Sequence, residues 1–460
     1  MLSHDQCETI DNSSSPVTTS LMTTTQLASG TARRAMTPLD RGAVVQVPAS
    51  LLIDVPDAAL YDLVILGAGC AGLSLCLAMV ENGATGPILL VDSRTEYADD
   101  RTWSFWDVEP TRFTHLARAR WNSWRVSTAT EQVRSSALGT PYVSLAANDF
   151  YRDALTRLAE YPNVRMLLGE DALGYSRIPD GLEVVTARFR VRGSQLVDSR
   201  GLRPTRAQLD EVAQRSTWVP QKFLGWHVVA SRPVFDADEA LLMDFDVDQT
   251  RGLRFGYVLP VSPLEALVEN VYLADVPVTE PEHRAELESY LADRFGLEPG
   301  SYRVTSDEHG NIPMTDHLFV QRPMPGVTVL GTLGGATRPS TGYAFLRIQR
   351  SSEETAMRLL GGSPEKGRRR SSRVSLLDRV FLRFLADHPD RAPLVFARMF
   401  GRVAPASIVR YLSDRSRPSD AGRLILALPK LWFLHSALLV VLRLVVSRLA
   451  APGLLRDRRH

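Results

Sequence analysis

The sequence predicts an α/β protein: a Rossmann-like domain with a GxGxxG turn, an antiparallel β-sheet inserted into it, and a helical C-terminal region. Three observations carry this prediction. An apolar run at residues 61–66 leads directly into GAGCAG and then into a helical composition. Between residues 221 and 274 the pattern changes to short strand-like segments, and from residue 325 a strand, a glycine-rich turn and an amphipathic helix follow. This return to the first pattern indicates that the middle layer is an insertion.

The first strand, helix and second strand form a βαβ unit, which requires a parallel sheet and a right-handed crossover. Gly67, Gly69 and Gly72 lie between the strand and the helix. Glycines at these positions permit a tight turn, close approach to a pyrophosphate and close helix packing. Asp92 ends the second strand, where a carboxylate can accept hydrogen bonds from ribose hydroxyls. The unit therefore predicts a dinucleotide site, the alternative being a glycine-rich turn in an unliganded fold.

This motif does not distinguish FAD from NAD, but two later segments do. They are LVDSRG at residues 196–201 and VLGTLGGATRPSTGY at residues 329–343. The second places a turn and a helix start where the flavin ring lies in flavoproteins of this layout, so that the helix would stabilise negative charge on the reduced ring. The order of the segments favours FAD. The candidate contacts in them are Asp198, Gly201, Gly331, Gly334 and Gly342.

The inserted sheet contains an acid on an apolar strand face. In the strand that begins at residue 265, alternation puts Glu269 on the same face as Leu267 and Val271. Burial disfavours the charged form of a carboxyl group and raises its pKa. Glu269 is therefore a candidate proton donor, and the alternative is a solvent-facing edge strand.

Several motifs resemble those of the bacterial lycopene β-cyclase family, in sequence and in order. The resemblance spans about residues 60–350 and implies FAD, kept reduced with electrons from NAD(P)H, and a redox-neutral cyclisation of the ends of lycopene. It also implies that Glu269 is the essential acid and that Arg101 contacts the cofactor. Thr332 stands where flavoproteins usually have an aspartate. The motifs are DRTWSFW at 100–106, Gly225 and Trp226, MDFDVDQ at 243–249, GYVLP at 256–260, LVEN at 267–270 and RPSTGY at 338–343.

The chemistry that the resemblance implies makes specific demands on the site. A protonated Glu269 could protonate a terminal alkene and create a tertiary carbocation, which aromatic faces would stabilise without trapping it. Asp244, Asp246 and Asp248 could share or orient this proton. Core packing is the alternative role for each aromatic residue. The candidate lining of an aromatic tunnel is Trp103, Phe105, Trp106, Trp226 and Tyr257.

Composition restricts the partners and the compartment. The chain has 53 Lys plus Arg against 52 Asp plus Glu, a formal net charge of +1, which gives no electrostatic basis for nucleic acid as a partner. The three cysteines do not suggest a disulfide framework, so a reducing compartment is expected. No metal site is expected.

The two ends of the chain differ from the middle. The first 57 residues are rich in Ser and Thr and lack a secretory pattern, so a disordered tail is expected, with a transit peptide as a disfavoured alternative. The apolar stretch from residue 424 is interrupted by Pro429, Lys430 and Arg443. We therefore expect peripheral attachment to the cytoplasmic side of a membrane, a helix buried in the protein core being the equal alternative.

The sequence divides into five predicted units. They are 1–57, the tail; 58–215, the first part of the FAD-binding domain; 216–325, the substrate sheet; 326–362, the return segment; and 363–460, the helical, membrane-associating region.

Two other functions remain open at the level of sequence. The same fold serves flavin-dependent reductases and hydroxylases of isoprenoid lipids, which do not require an acid in the LVEN strand. A lipid-binding protein that has lost its cofactor is the third possibility, against which the intact glycine motif and Asp92 argue. Which polyene is used, whether one or both ends close, and whether the ring is β, γ or ε are not fixed by these residues.

Overall fold

The computed structural model of the chain describes residues 44–56, 60–202, 206–362 and 372–449. It confirms the predicted fold class: a mostly parallel sheet with helices, an antiparallel sheet, and C-terminal helices. The first sheet has the strand order β8-β2-β1-β11-β10-β9, with β17 beside β11. Its strands are β1 (Tyr61–Leu66), β2 (Ile88–Asp92), β8 (Val164–Leu168), β9 (Ala172–Ile178), β10 (Gly181–Thr186), β11 (Arg190–Asp198) and β17 (Val327–Val329).

The apolar helix after the glycine turn lies inside the domain. Helix α1 (Cys70–Glu81) packs against α2 (Ala147–Leu158) and α5 (Phe345–Leu359). Ten consecutive residues of α1, 71–80, are buried. A helix that is apolar on all sides must be covered on all sides, and this is the reason that the return segment is needed to complete the first domain.

The predicted disordered tail is ordered in its last part, which corrects that expectation. The backbone N–H of Val45 donates to the carbonyl oxygen of Tyr97 at 2.8 Å, and Leu52 forms a bridge with Met166. Leu51 is 1% exposed. These contacts bury apolar side chains against the parallel sheet, which compensates for the entropy lost on ordering. Residues 1–43 lie outside the described residues, as does the predicted linker at 363–371.

The antiparallel sheet has the strand order β16-β12-β15-β14-β13-β5-β6. The strand-like segments predicted between residues 221 and 274 form the four strands β12 to β15. Two strands from earlier in the chain, β5 and β6, extend the sheet, since β5 pairs in parallel with β13. A small sheet of order β3-β7-β4 lies in the same region of the chain. The strands are β3 (Thr102–Trp106), β4 (Ala119–Trp121), β5 (Ser123–Ser127), β6 (Gln132–Ser136), β7 (Tyr142–Ala146), β12 (Trp218–Ala230), β13 (Glu239–Asp244), β14 (Arg254–Pro260), β15 (Glu265–Leu273) and β16 (Tyr302–Thr315).

Different helices cover the two faces of the antiparallel sheet. Helix α4 (Glu280–Phe295) packs on one face with Trp226, Val228 and Val268. The C-terminal helices pack on the other face, with Leu267 and Val271 in the same apolar core. The sheet is thus buried on both sides. The remaining helices are α3 (Arg206–Arg215), α6 (Ser372–Asp387), α7 (Ala392–Arg402), α8 (Pro405–Leu412), α9 (Pro418–Ala427) and α10 (Lys430–Leu449).

Within the described residues, no single helix combines the length and the apolar composition needed to cross a membrane. Helices α9 and α10 meet those criteria only as a pair, and the two are bent by 120° at the break between them.

Candidate active site

One large cavity connects the glycine turn, the antiparallel sheet and the C-terminal helices. Its volume is about 870 Å³. Gly67 and Gly69 line one part of it, Glu269 lines another, and Phe396 from α7 closes a third. The cavity therefore brings the predicted cofactor motif and the predicted acid into a common space.

The glycine turn has the geometry of a phosphate-binding turn. Gly67 has a φ of +90°, which favours glycine. A Cβ on Gly72 would lie 1.9 Å from the carbonyl oxygen of Gly67, so the helix can approach the turn only without a side chain there. A Cβ on Gly69 would meet only the end of the Arg94 side chain, at 3.5 Å. The turn thus leaves open space at the N-terminus of α1, where a pyrophosphate is stabilised.

Asp92 lies beside this turn. Its Oδ2 accepts a hydrogen bond from the backbone N–H of Ala68 at 2.5 Å, and its Oδ1 accepts one from that of Arg94 at 2.8 Å. Asp92 also lines the cavity. These bonds fix the carboxylate beside the glycine turn.

The later cofactor candidates are divided between the cavity wall and its support. Gly331 and Gly342 line the cavity with φ values of +69° and +75°, and Gly201 lines it too. Gly334 supports the turn instead, since a Cβ there would lie 2.6 Å from the carbonyl oxygen of Val329.

The two charged cofactor candidates, Asp198 and Arg101, likewise divide between the support of the cavity wall and the wall itself. Asp198 is 2% exposed and does not line the cavity; both its oxygens accept hydrogen bonds from the Arg200 guanidinium, at 2.9 and 2.8 Å. Asp198 thus orients Arg200, which lines the cavity and which the sequence analysis did not name. Arg101 lines the cavity beside Asp100, to which its Nη2 donates at 2.6 Å.

Glu269 lies on the cavity face of β15, as the alternation predicted. It is opposite Tyr257 on β14 and Gly225 on β12, and it is 8% exposed. Burial, followed by the charge of Glu308 and a hydrogen bond with that residue, raises the pKa of Glu269 well above its usual value. The group is therefore held in its protonated form, which is the form that a proton donor needs.

The structure separates Asp244 and Asp246 from Glu269, contrary to the expectation that they share its proton. Asp244 is opposite Gly256 in the sheet, so it faces α4, whereas Glu269 faces the cavity. Its carboxylate accepts hydrogen bonds from Tyr290 at 3.0 Å and from Arg294 at 2.8 Å. Asp246 also pairs with Arg294, and neither acid lines the cavity. The aspartates hold α4 on the sheet.

Some of the predicted aromatic residues line the cavity, and the others are packed elsewhere. Trp103 and Tyr257 line the cavity. Trp226 points to the α4 side, where the Arg284 guanidinium lies 5.9 Å from the centre of its ring. Phe105 and Trp106 are packed in cores, stacked on Phe345 and against Trp124 respectively. These three therefore do not form the tunnel wall.

Two tyrosines and a set of C-terminal residues complete the wall, and the sequence analysis did not name them. The Tyr142 hydroxyl lies 2.9 Å from that of Tyr257 and 3.2 Å from that of Tyr343. Tyr343 stands inside the quoted RPSTGY motif, which could have identified it; Tyr142 carries no local signal. The C-terminal lining residues are Phe381, Phe396, Met399, Phe400, Tyr411 and Leu412.

Comparison with known structures agrees with the fold. The chain is similar to a geranylgeranyl bacteriochlorophyll reductase-like protein from Thermoplasma acidophilum, with a TM-score of 0.51 and 14% identity over 80% of this chain and 96% of that one. It is also similar to p-nitrophenol 4-monooxygenase PnpA from Pseudomonas putida, with a TM-score of 0.50 and 17% identity over 84% and 98% of the chains. A halogenase PltM mutant in complex with FAD gives a TM-score of 0.51 at 13% identity, over 80% and 86%.

Sequence comparison is more specific. The chain is 26% identical to a lycopene beta-cyclase of Paracoccus sp. over 80% of its length and 94% of that protein. It is 23% identical, with the same two shares, to the lycopene beta-cyclase of Pseudescherichia vulneris. With the enzyme of Pantoea ananas the identity is 27% over 62% of this chain and 71% of that one. The family profile described as lycopene cyclase protein matches residues 62–438, which is most of the chain, and the chain therefore belongs to the lycopene cyclase family.

Proposed function

We propose that this protein binds FAD and cyclises the ψ-ends of lycopene, or of a related linear carotenoid, to β-ionone rings by acid catalysis. The observation that carries the proposal is a buried carboxyl group, Glu269, with a raised pKa in the wall of the cavity that also contains the glycine turn. A large cavity with aromatic side chains in its wall is suited to an apolar polyene. A substrate in this cavity would be in reach of Glu269, which lines it.

The residues around the turn fit FAD. Gly69 and Gly201 leave space for the dinucleotide, Asp92 is fixed for the ribose, and Arg200 and Arg101 supply positive charge. Gly331 and Gly342 would let a flavin ring approach the backbone between the turn and Glu269. When bound and reduced, with NAD(P)H as the proposed electron source, FAD supplies a negatively charged ring that stabilises positive charge nearby.

The protein's own residues would carry the proton steps. The Glu269 O–H bond breaks as a new C–H bond forms at the terminal alkene, leaving a tertiary carbocation on the neighbouring carbon. The next double bond then attacks this carbon and closes a six-membered ring. Loss of a proton from the carbon beside the resulting cation restores a double bond, so the reaction is redox-neutral. Trp103 and Tyr257, which line the cavity, would stabilise the positive charge through their aromatic rings.

Acid chemistry is favoured over hydride transfer by the same observation. A reductase or hydroxylase of an isoprenoid lipid has no need of a protonated carboxyl group on an apolar wall. Similarity of fold does not distinguish between these two kinds of chemistry, because the similar structures are of a reductase-like protein, a monooxygenase and a halogenase.

We also propose that helices α9 and α10 attach the protein peripherally to the cytoplasmic side of a membrane. They expose a set of large apolar side chains, whose cost in water is reduced by contact with lipid. A linear carotenoid is itself dissolved in the apolar interior of a membrane. The exposed residues are Ile425, Leu426, Leu431, Leu434, Leu438, Val441, Leu442, Val445 and Val446.

Expression in a bacterial host that accumulates lycopene, followed by pigment analysis, tests the proposed activity. We expect cyclic carotenoids in place of lycopene, and a purified protein with the absorbance of bound flavin. A yellow protein that leaves lycopene linear but changes its oxidation level would support the oxidoreductase instead.

A further inference from the structure

Glu269 has a second carboxyl group next to it, on the far side of a glycine. Glu269, Gly225 and Glu308 occupy directly opposite positions on β15, β12 and β16. Side chains at such positions point to the same face of a sheet. A Cβ on Gly225 would lie 2.9 Å from Cγ of Glu269 and 3.4 Å from Cγ of Glu308. The absence of a side chain at Gly225 thus allows the two acids to meet.

Two neighbouring side chains hold the Glu308 carboxyl group, Thr102 from the cavity wall and His227 from the interior. Glu308 is 4% exposed, and the Thr102 hydroxyl donates a hydrogen bond to its Oε2 at 3.0 Å. The Nε2 of His227 lies 3.7 Å from the same oxygen, and His227 is 6% exposed. Whereas Glu269 lines the cavity, Glu308 and His227 do not. The order from the cavity inward is therefore Glu269, Glu308, His227.

The environment assigns different protonation states to the two acids. Burial opposes ionisation of Glu308, but a hydrogen bond and attraction from His227, with hydrogen bonds from Glu269 and Thr102, leave its pKa below its usual value. The pKa of Glu269 is raised instead. Two buried carboxyl groups in contact hold one proton between them. Tyr257 on β14 also faces Glu269, and it is neutral at ordinary pH because burial, and then the neighbouring Tyr343 and Glu269, raise its pKa.

We propose that Glu269 and Glu308 form an acid pair with a single proton, in which Glu308 is a positioning residue that holds the reactive proton on Glu269 and restores it after each ring closure. This inference rests on the proposed function. When Glu269 gives up its proton to the alkene, the pair carries two adjacent negative charges. Their repulsion makes the pair a strong acceptor for the proton that the cyclic cation then loses, so that the proton lost equals the proton gained and no external reagent is required.

The test compares Glu308→Gln with Asp307→Asn in the purified, flavin-bound full chain. Asp307 is the neighbour of Glu308 on β16 but is 42% exposed and pairs with Arg284. Two quantities are measured against pH: the infrared carbonyl band of a protonated carboxyl group, assigned by its loss in Glu269→Gln, and the rate of lycopene cyclisation. Glu269 must be protonated to act, so activity falls as pH rises through its pKa.

Removing the charge of Glu308 lowers the pKa of Glu269. In Glu308→Gln we therefore expect both the band and the alkaline limb of the activity profile to move to lower pH, by about one unit or more, while Asp307→Asn leaves both unchanged. An unchanged midpoint in Glu308→Gln would overturn the pairing. If that variant does not bind flavin, Gly225→Ala is used, since its methyl group separates the two acids and should lower the midpoint of the band; an unchanged midpoint there also overturns it.

Failure of the two proposals can be told apart. A wild-type protein that binds flavin but does not cyclise lycopene contradicts the proposed function, whereas the infrared midpoint still measures the acid pair. A wild-type protein that cyclises lycopene, with no shift in Glu308→Gln, contradicts only the pair.

Discussion

At the scale of the residue, the chemistry depends on which face of a strand each acid occupies. Glu269 was identified because alternation within one strand is readable from sequence. Asp244 was misplaced because the face on which a neighbouring strand puts its residues depends on register, and the pairing of β13 shifts between residues 241 and 244. Glu308 was missed because β16 pairs with a strand about eighty residues earlier in the chain.

The first prediction concerns Glu269→Gln. The amide keeps the shape of the side chain and removes the transferable proton. Flavin binding and folding should therefore persist, while the rate of cyclisation falls by ~10²–10⁴-fold or more. Pigment analysis in lycopene-accumulating cells, with flavin absorbance as the control for folding, measures this. A yellow variant that makes cyclic carotenoids at the wild-type rate would remove Glu269 from the mechanism.

The second prediction concerns Gly69→Trp. The indole would occupy the space of the pyrophosphate, so FAD binding should be lost with little change in the fold. Gly174→Trp is the matched control, because a Cβ on Gly174 meets nothing within 4 Å and the residue does not line the cavity. Flavin absorbance after purification and added FAD is the measurement; retention of flavin by Gly69→Trp would refute the assigned position.

At the scale of the element, the C-terminal helices are joined to the return segment by a buried ion pair. Arg338 and Asp378 are 0% and 1% exposed, and the Nε and Nη2 atoms of Arg338 donate to Oδ1 of Asp378 at 3.1 and 2.9 Å. Ser340 donates to the same oxygen at 2.7 Å. Helicity of the C-terminal region was predictable from its periodicity. This connection was not, because the two residues are forty positions apart and only Arg338 belongs to a quoted motif, whereas Asp378 belongs to none.

The third prediction follows from that pair. Arg338→Met leaves Asp378 charged and unpaired in the interior, which should destabilise the protein by about 3–5 kcal/mol. Arg383→Met removes a partly exposed pair with Asp387 within α6 and should cost less than about 1 kcal/mol. Chemical denaturation of the two variants beside the wild type gives the comparison. Equal losses of stability would mean that the buried pair is not what fastens the helices.

The fourth prediction concerns the exposed face of α10. Replacing the exposed residues Leu431, Leu434 and Leu438 by Ser removes apolar surface that would contact lipid. Binding to vesicles should therefore weaken, while folding persists because these side chains are not in the core. Leu138→Ser is the control, since Leu138 is 88% exposed on a loop far from α10 in sequence. Flotation with vesicles of bacterial lipids measures binding. Undiminished binding by the triple variant would place the attachment elsewhere.

At the scale of the whole molecule, the layers of the fold were predictable from the sequence, but the contacts between them were not. The βαβ unit, the inserted sheet and the terminal helices follow from local periodicity, which a chain displays before it folds. The cavity arises where all three meet, so its wall combines residues as distant as Tyr142, Tyr257 and Tyr343. Only pairing across those distances, which no local pattern records, brings them together.

The outer helix and the cavity wall are neighbours, and this has a consequence for how a water-insoluble molecule could enter. Phe433 on α10 stacks on Phe384 with ring centres 4.4 Å apart and lies 6.0 Å from the ring of Phe381, which lines the cavity. Phe433 of α10 is thus in contact with a side chain of the cavity wall. With α10 resting on lipid, as proposed, a polyene could pass from bilayer to acid by displacing rings, without ever being surrounded by water.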